Sequence, residues 1–428
     1  MDQVQQAPAE KRAQMLRDYL ATFRAHDESP HAASPDGDSL VEEVDLPHGR
    51  VQYFTNEFWT SKQRQAHSLQ EISYRACFKP QLPRFFIHLF TSEGDTVYDP
   101  FSGRGTTPIE AGLAGREVVA NDINPVSEIF TRPRLLVPSL DSVRERLASI
   151  PVDYRKRAEL DLSMFYHPDT EAEIVSLRDY LIHRSSTEQE DAVDAWIRMV
   201  ATNRLTGHSP GFFSVYTLPP NQAVSRRRQL EINKQRGQTP EYKDTKERIR
   251  KKSVSLQRNL TETDRRRLVR AGERGLLLQR DARFTREIPD QSVQLTVTSP
   301  PFLDVVDYER DNWLRTWFNN LDADPGEERP SVFSGLDAWC RLMQDVFREL
   351  HRVTRAGGWI AFEVGEVRKG TIRLEEHVVR LAEAAGLSCC GVLINRQRFT
   401  KTANIWGISN NSKGTNSNRV VLLQKPGP

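Results

Sequence analysis

The sequence contains little cysteine and no long apolar run. Its four cysteines are Cys77, Cys340, Cys389 and Cys390, and none forms a C-x-x-C pair. This pattern is typical of a reducing compartment and argues against a disulfide framework or a structural zinc site. No apolar stretch approaches the roughly 18 residues that span a membrane, and the amino terminus lacks a signal-peptide core. We therefore expect a soluble cytoplasmic protein without a membrane segment or a metal site.

A strong net charge is also absent. The chain has 60 Lys and Arg against 58 Asp and Glu, a formal net charge of +2. A role in nucleic-acid binding must therefore depend on local clusters of charge. The hydrophobic content of 38% suffices for a sizeable core. A length of 428 residues leaves room for two domains, or for one domain with a large insertion.

The most informative stretch is Thr96–Thr107, with the sequence TVYDPFSGRGTT. Residues that favour strands lead into Asp99, a turn follows, and a helix-like run begins just after the stretch. A strand that passes through a glycine turn into a helix forms a ligand cradle at the carboxyl edge of a sheet. Gly103 and Gly105 let a ligand approach the main chain closely. The next predicted strand, Val118–Asp122, ends in an acid, which is the usual position for binding ribose hydroxyls.

A second motif, Thr298–Phe302 with the sequence TSPPF, ends the predicted strand at 292–298. The two motifs resemble motifs I and IV of the DNA amino-methyltransferases, which bind S-adenosylmethionine through Asp-Pro-Phe-x-Gly-x-Gly-Thr-Thr. The resemblance implies an α/β fold with a doubly wound, seven-stranded, Rossmann-like sheet, whose last strands we predict at 357–364, 388–394 and 419–423. In such a sheet both motifs face the same crevice. S-adenosylmethionine is then the implied cofactor.

The resemblance also assigns roles to residues around the crevice. Phe78 and Lys79 lie in a segment similar to motif X, and Lys79 would meet the cofactor carboxylate, unless it is simply a solvated lysine before a proline turn. Asp122 would bind the ribose, Ile123 would pack on the adenine, and Asp281 would face the adenine amino group. The implied cofactor-binding positions are Phe78, Lys79, Asp99, Pro100, Phe101, Ser102, Gly103, Gly105, Thr106, Thr107, Asp122, Ile123, Asp281 and Ala282.

The catalytic residues implied by motif IV are Ser299, Pro300, Pro301 and Phe302. The Ser299 hydroxyl and the Pro300 carbonyl would accept hydrogen bonds from the amine, and the prolines would fix the backbone. Phe302 would stack on a flipped base. In this family Ser at the first position usually accompanies the N4 amine of cytosine, whereas Asp or Asn accompanies the N6 amine of adenine. The sequence thus predicts an N4-cytosine DNA methyltransferase.

A large insertion interrupts the resemblance. We predict three parts: a helix and flexible linker at 1–50, a catalytic domain at 51–126 and 276–428, and a basic, mostly helical insertion at 127–275. Between Arg226 and Arg270 there are sixteen Lys or Arg and six Asp or Glu. This excess predicts phosphate binding, and a solvated helix face is the alternative. The predicted DNA-binding residues are Arg226, Arg227, Arg228, Arg250, Lys251, Lys252, Arg265, Arg266 and Arg267.

The aromatic loop at 207–220 precedes this basic stretch. Its side chains Phe212, Phe213 and Tyr216 would stack on or wedge beside an extruded base. An insertion between the predicted strand that ends at Asp122 and the segment of Asp281, which resemble motifs II and III of the family, departs from the usual family orders. This leaves open whether the insertion reads bases, contacts phosphates only or binds a partner.

Three other functions are compatible with the sequence to different degrees. An N6-adenine or RNA methyltransferase would use the same fold, and an inactive nucleic-acid-binding subunit would need neither motif intact. A NAD-dependent dehydrogenase would need a third glycine where Ile109 and its neighbours stand. The partners that the resemblance implies are double-stranded DNA and either a cognate restriction endonuclease or a second copy of the chain.

Overall fold

The computed structural model describes residues 9–24, 39–47, 49–59, 66–75, 77–218, 223–301, 308–321, 335–365, 372–396 and 417–427. Within these ranges the chain forms a nine-stranded sheet in the order β1-β2-β8-β9-β7-β6-β3-β4-β5. The strands are β1 (Leu40–Leu46), β2 (Gly49–Asn56), β3 (Thr96–Asp99), β4 (Glu117–Asn121), β5 (Leu276–Leu278), β6 (Val293–Thr298), β7 (Thr354–Val364), β8 (Ser388–Arg396) and β9 (Ser417–Gln424).

The α/β class and the doubly wound sheet that we predicted are confirmed, but the predicted number of seven strands is wrong. The two additional strands are the antiparallel pair β1 and β2, and β2 joins the sheet by pairing in parallel with β8. Strand β1 lies within residues 1–50, which we predicted as a helix and a flexible linker. This strand lies at the edge of the sheet, and most of its side chains are exposed. Its sequence LVEEVDL therefore does not need the alternation of apolar and polar residues that identifies a half-buried strand.

The order of the strands brings the two sequence motifs together. Strand β3, which carries the glycine motif, pairs in parallel with both β4 and β6. Strand β6, which carries the Ser-Pro-Pro motif, pairs in parallel with β7 on its other side. Because parallel strands end at the same edge of a sheet, the residues that follow β3, β4, β5, β6 and β7 all lie at one edge.

Helices cover both faces of the sheet and fill the insertion. They are α1 (Ala9–Ala21), α2 (Gln81–Phe90), α3 (Thr106–Leu113), α4 (Val126–Leu135), α5 (Leu140–Ser149), α6 (Pro168–Ser186), α7 (Ala192–Arg204), α8 (Arg226–Arg236), α9 (Thr245–Gln257), α10 (Glu262–Arg274), α11 (Tyr308–Asn319), α12 (Leu336–Val353) and α13 (Leu374–Ala384). Several begin at side-chain caps, such as Ser139 before α5 and the Thr261–Asp264 capping box of α10. No described helix is long and apolar enough to cross a membrane.

The insertion shares a hydrophobic core with the sheet. Trp196 and Ile197 of α7 are fully buried in the same cluster as Val97 of β3 and Leu295 of β6. Alternate residues of these strands point to the opposite face, where Tyr98 packs in a second cluster under α12 and α13. Helices α4 and α10, inside the predicted insertion, pack against α3. The insertion therefore packs on the sheet and shares its core.

Helix α1 packs on the sheet. Leu16 and Leu20 on its apolar side are fully buried. The Arg17 guanidinium donates to the Cys390 carbonyl of β8 at 3.1 Å. The Phe23 ring lies 5.1 Å from the Phe58 ring. Sequence periodicity predicted this helix and did not say what it packs against, and the structure assigns it to the core.

We predict that Leu20→Ala lowers the free energy of unfolding by about 2–4 kcal/mol, because it removes a fully buried side chain and leaves a cavity. Denaturant unfolding would measure the change. Gln14→Ala on the exposed side of the same helix is the control, with an expected change below about 0.5 kcal/mol. Equal stability of the two variants would contradict the docking of α1.

Candidate active site

The crevice between β3 and β6 joins the two motifs through one hydrogen bond. Thr298, the last residue of β6, donates its hydroxyl proton to Asp99 Oδ1 at 2.7 Å. Asp99, the last residue of β3, is 1% exposed and also accepts the Phe101 N–H at 3.1 Å. Desolvation of the carboxylate raises the pKa of Asp99 to about 7. Strands β3 and β6 therefore end side by side, and the glycine turn and Ser299, which follow them, are neighbours.

The glycine turn needs glycine at two positions. Gly103 and Gly105 have φ angles of +52° and +80°, in the left-handed region. A Cβ atom on Gly105 would collide with the Thr131 side chain of α4. Asp122, the acid after β4, accepts the Gly103 N–H at 2.7 Å, and burial raises its pKa to about 6. The acid that sequence assigned to ribose binding also holds the glycine turn.

Two arginines that sequence reasoning missed hold a segment over this turn. Arg134 of α4 is fully buried and donates to the carbonyls of Leu69 at 3.0 Å and of Arg104. Desolvation of its guanidinium lowers the pKa of Arg134 to about 9. Arg104 in the turn donates to the Ile72 carbonyl at 2.6 Å. Residues 66–75 thus lie against the glycine turn, and only the fold shows which carbonyls these arginines reach.

Lys79 reaches the same region with an exposed side chain. Desolvation and the nearby Arg104 guanidinium lower the pKa of Lys79. Among the described residues no carboxylate pairs with Lys79, while Phe78 beside it is half-buried. An ammonium group that no carboxylate of the described residues pairs with suits an anionic ligand group such as a carboxylate, as the resemblance implied.

The predicted adenine side of the crevice is partly open. Ile123 after β4 has 44% of its surface exposed, and Phe284 after β5 has 59%. Asp281 pairs with Arg283 at 2.6 Å, so its carboxylate is engaged by a neighbouring guanidinium group. Ala282, beside it, is buried. Phe284 is an aromatic that the motifs did not indicate.

Three of the predicted cofactor contacts have hydroxyls that bond within the protein. Ser102 lies 2.9 Å from the Ser127 hydroxyl, and Thr107 donates to the Val297 carbonyl at 3.1 Å. Thr106 accepts from Arg104 at 3.1 Å. All three side chains are buried, so they shape the turn, while Pro100 is buried and Phe101 half-buried beside it.

Motif IV contacts a buried acid that sequence reasoning missed. The register that places Thr298 beside Phe362 puts Ser299 beside Glu363 of β7. Glu363 is 6% exposed, and its carboxylate accepts hydrogen bonds from the Ser299 hydroxyl and from Asn418 Nδ2, the latter at 3.0 Å. Burial raises the pKa of Glu363. An acid inside the apolar strand run WIAFEV was the signal that could have identified it.

A buried tryptophan holds the main chain of the motif at its second proline. The indole N–H of Trp339, a fully buried residue of α12, donates to the Pro301 carbonyl at 3.2 Å. Pro300 is buried and Ser299 half-buried at the mouth of the crevice. Phe302, the predicted stacking residue, lies outside the described residues.

The three predicted basic clusters lie in different places. Arg226, Arg227 and Arg228 form the exposed first turn of α8. Its preceding residues contact α11, the helix that follows motif IV, through the Ala223 N–H and the Asp311 carbonyl at 3.2 Å. Asp311 also pairs with Arg75, and the neighbouring Tyr74 ring lies beside Gly103, so the segment before this cluster is linked through α11 to the glycine turn.

The cluster on α9 is largely paired. Arg250 and Lys251 contact Glu247 at 2.7 Å and 3.3 Å. The Lys252 side chain is only 12% exposed and lies 4.0 Å from Glu71. Desolvation lowers the pKa of Lys252 to about 7. Low exposure and the nearby Glu71 carboxylate disfavour phosphate binding by Lys252, which stays a prediction.

The cluster on α10 faces away from the crevice. Arg265 donates to the Val137 carbonyl, and Arg266 and Arg267 line a cavity of about 180 Å³ that also includes Gly115. Because Gly115 precedes β4, this cavity lies near the amino ends of the strands. The three clusters do not form one continuous basic surface at the crevice.

The prediction for the aromatic loop is wrong for its phenylalanines. Phe212 is 3% exposed beneath the Arg204 guanidinium, and Phe213 is 1% exposed in the core. Tyr216 is half-buried under Arg236. Alternating aromatic and turn residues indicated exposure, whereas packing of the insertion against the sheet covers these rings.

Across the described ranges, no group of three or more His, Cys, Asp or Glu is arranged to hold a metal ion.

Comparison with known proteins bears on the first part of the chain. Residues 6–129 match a family model described as DNA methylase, for N6 and N4 methyltransferases. The match includes the glycine motif and ends before Ser299. Type II methyltransferase M.MvaI of Kocuria varians is 27% identical over 128 residues, 29% of this chain and 25% of that protein. Type II methyltransferase M.BsoBI of Geobacillus stearothermophilus is 37% identical over 67 residues, 15% of this chain and 13% of that protein.

The chain therefore spans about a quarter or less of the length of these curated relatives. Among solved structures, a Thermus thermophilus protein in complex with S-adenosyl-L-methionine has a TM-score of 0.22 and 23% identity, over 35% of this chain and 54% of that chain. The rRNA methyltransferase aviRa of Streptomyces viridochromogenes has a TM-score of 0.32 and 12% identity, over 86% of this chain and 93% of that chain.

We predict that Gly105→Ala weakens binding of S-adenosylmethionine at least tenfold, because the new Cβ atom displaces the turn from Thr131. Isothermal titration would measure the affinity. Gly237→Ala is a matched control, since Gly237 also has a positive φ angle, +58°, but has no atom within 4 Å of an added Cβ. If both variants bound the cofactor like the parent protein, the turn would not be the cofactor cradle.

We also predict that cofactor affinity falls as the pH drops through about 7 and then 6. Burial raises the pKa of Asp99 to about 7 and that of Asp122 to about 6, and a cationic cofactor favours the ionised carboxylates. Affinity should be constant above about pH 8 and decline below it, because protonation removes the negative charge. Titrations from pH 5.5 to 8.5 would show this. Asp99→Asn should flatten the upper part of the profile, whereas Asp45→Asn, at a side chain 84% exposed, should not.

Proposed function

We propose that this chain, whose residues 6–129 match a family model described as DNA methylase, is an S-adenosylmethionine-dependent DNA amino-methyltransferase that methylates the exocyclic N4 amine of cytosine in double-stranded DNA. The observation that carries the proposal is the hydrogen bond from Thr298 to Asp99. It joins the end of the cofactor-motif strand to the end of the Ser-Pro-Pro strand. Methyl transfer requires this proximity, since donor and acceptor must be held in line.

When bound, S-adenosylmethionine supplies an electrophilic methyl group. The residues proposed to hold it are the glycine turn, Asp122 at the ribose and Lys79 at the carboxylate. The ammonium of Lys79, which no carboxylate of the described residues pairs with, and the open face of Ile123 support these assignments. Asp281 would first have to release Arg283, with which it forms an ion pair.

The amine of cytosine is a poor nucleophile because its lone pair is delocalised into the ring. Acceptors that face the amino hydrogens favour the loss of this conjugation and stabilise the developing positive charge. The Ser299 hydroxyl donates to Glu363, which leaves its oxygen lone pairs for the amine. The Trp339 indole and the two prolines hold the neighbouring Pro300 carbonyl in a fixed position.

Glu363 completes the proposed mechanism. The amine must lose one proton after the new N–C bond forms, and Ser299 links the amine to the Glu363 carboxylate. Burial raises the pKa of Glu363, which makes it a better proton acceptor than an exposed glutamate. Glu363 is thus a positioning residue for the Ser299 hydroxyl and the acceptor at the end of this route.

Cytosine is proposed over adenine because the first residue of the motif is Ser, not Asp or Asn. The described residues and the family match are equally compatible with an N6-adenine product, which the same experiment would detect. Type II methyltransferases among the relatives suggest a place in restriction and modification, with a cognate endonuclease or a second copy of the chain as further partners.

The test is incubation of the purified chain with methyl-labelled S-adenosylmethionine and unmodified bacterial DNA, followed by nucleoside mass spectrometry. We expect N4-methylcytosine. N6-methyladenine would overturn the choice of base and keep the reaction type. Label in RNA alone would overturn DNA as the substrate, and no label in either would overturn the proposed activity.

We predict that Ser299→Ala lowers the methylation rate at least a hundredfold while cofactor affinity stays within a factor of two, because Ser299 faces the amine and not the cofactor. Glu363→Gln should lower the rate about tenfold and change its pH profile, since the acid that orients the hydroxyl is lost. Ser292→Ala, just before the amino end of the same strand, is the control and should retain full activity. A fully active Ser299→Ala variant would remove that residue from the mechanism.

A further inference from the structure

Helix α8 (Arg226–Arg236) is exposed on nearly all sides. Gln229 and Ile232 are its buried side chains. Gln229 Nε2 donates to the Tyr216 carbonyl at 3.0 Å, and Asn233 Nδ2 donates to the Met164 carbonyl at 2.8 Å. Ser225 caps its first turn. The helix is therefore fixed in place by polar contacts and one apolar residue, and its outer surface is not used for packing.

The outer face follows from the helical repeat. Gln229, Ile232 and Asn233 point inward, so positions 227, 230, 231 and 234 point outward at spacings of three and four residues. The Arg227 side chain is 92% exposed. Leu230 is 55% exposed, the only apolar residue on this face of the described helix.

This face carries the side-chain types that read base edges. Arginine and lysine pair with guanine, glutamate accepts from the cytosine amine, and an apolar side chain contacts the thymine methyl group. Arg226 and Arg228 flank the face on either side, where the phosphates bordering a groove would lie. Arg228 contacts Glu231 at 2.9 Å and Arg227 approaches it at 3.6 Å, so the face includes internal ion pairs.

The first turn of α8 has a charge pattern that the folded chain alone does not explain. Its residues are three arginines, with no acid among them. Cations at the amino end of a helix oppose the helix dipole and destabilise the helix. Nucleic-acid phosphates would remove this unfavourable interaction. A water-facing structural helix would gain nothing from the arrangement.

The segment before α8 is anchored on α11, whose Asp311 pairs with Arg75 in the segment that lies against the glycine turn. The Trp313 indole of α11 donates to the Val224 carbonyl at 3.2 Å, two residues before the helix. Helix α11 follows the Ser-Pro-Pro motif in the chain. A helix with side chains is about 10–12 Å across and fits the major groove of about 12 Å.

We propose that α8 enters the major groove of the DNA substrate and selects its sequence through Arg227, Leu230, Glu231 and Lys234, while Arg226 and Arg228 bind the flanking phosphates. This inference rests on the proposed function and names the element that determines sequence specificity. It also assigns base reading to the insertion, which the sequence had left open.

The test maps the methylated sequences that the full chain produces in an unmodified DNA library, for the parent protein and for variants. Arg227→Ala and Leu230→Ala should each relax the methylated sequence at one or two positions and slow methylation of the original site about tenfold. Arg226→Ala and Arg228→Ala should instead weaken binding to all sequences equally and reduce the slope of log affinity against log salt by about one.

Arg274→Ala is the matched control, because Arg274 is 63% exposed on α10 and contacts Glu117 at the other edge of the sheet. Cofactor affinity and thermal unfolding should be unchanged in the α8 variants, since the replaced side chains are exposed. A parent protein that methylates a defined sequence, with Arg227→Ala and Leu230→Ala variants that methylate the same set, would overturn base reading by α8. Uniform weakening in all four variants would also overturn it and leave a phosphate clamp. Absence of DNA methylation by the parent protein would overturn the proposed function itself.

Discussion

The hydrogen bond between Thr298 and Asp99 is the constraint on which the site depends. It forms where β6 and β3 end, and it sets the spacing between the glycine turn and Ser299. The bond requires the parallel pairing of two strands that are far apart in the chain, as the pairing of Val97 with Leu295 shows. The segment between the two strands must therefore begin and end beside the sheet. Helices α4 and α10, near the two ends of this segment, pack on α3.

Surrounding residues stabilise the site, because burying its carboxylates costs free energy. Asp99, Asp122 and Glu363 are carboxylates whose pKa values burial raises, so each opposes folding when it is ionised. Hydrogen bonds from Thr298, Gly103 and Asn418 offset part of this cost. Arg134 contributes by holding two carbonyls over the turn. A ligand that pairs with these carboxylates would therefore stabilise the fold as it binds.

The insertion contacts both the core of the sheet and the helix that follows the Ser-Pro-Pro motif. Its buried residues belong to the core of the sheet, and its contacts with α11 extend to the helix that follows the Ser-Pro-Pro motif. The insertion therefore packs against α11 and presents α8 to solvent. Three basic clusters of similar composition differ in what surrounds them: solvent and Glu231 at α8, Glu247 and Glu71 at α9, and the amino ends of the strands at α10.

The sequence by itself determined the elements whose signals are local. Gly103 and Gly105 marked a turn after a strand, and TSPPF marked a strand end, because backbone conformation and strand patterning depend on neighbouring residues. Only the tertiary structure decided what depends on distant contacts. Glu363 reaches Ser299 through strand register, Lys252 lies inside against Glu71, Phe212 is covered by Arg204, and β1 exists because it pairs with β2. Burial and pairing are properties of the packed chain, and no local pattern of charge or aromatic residues specifies them.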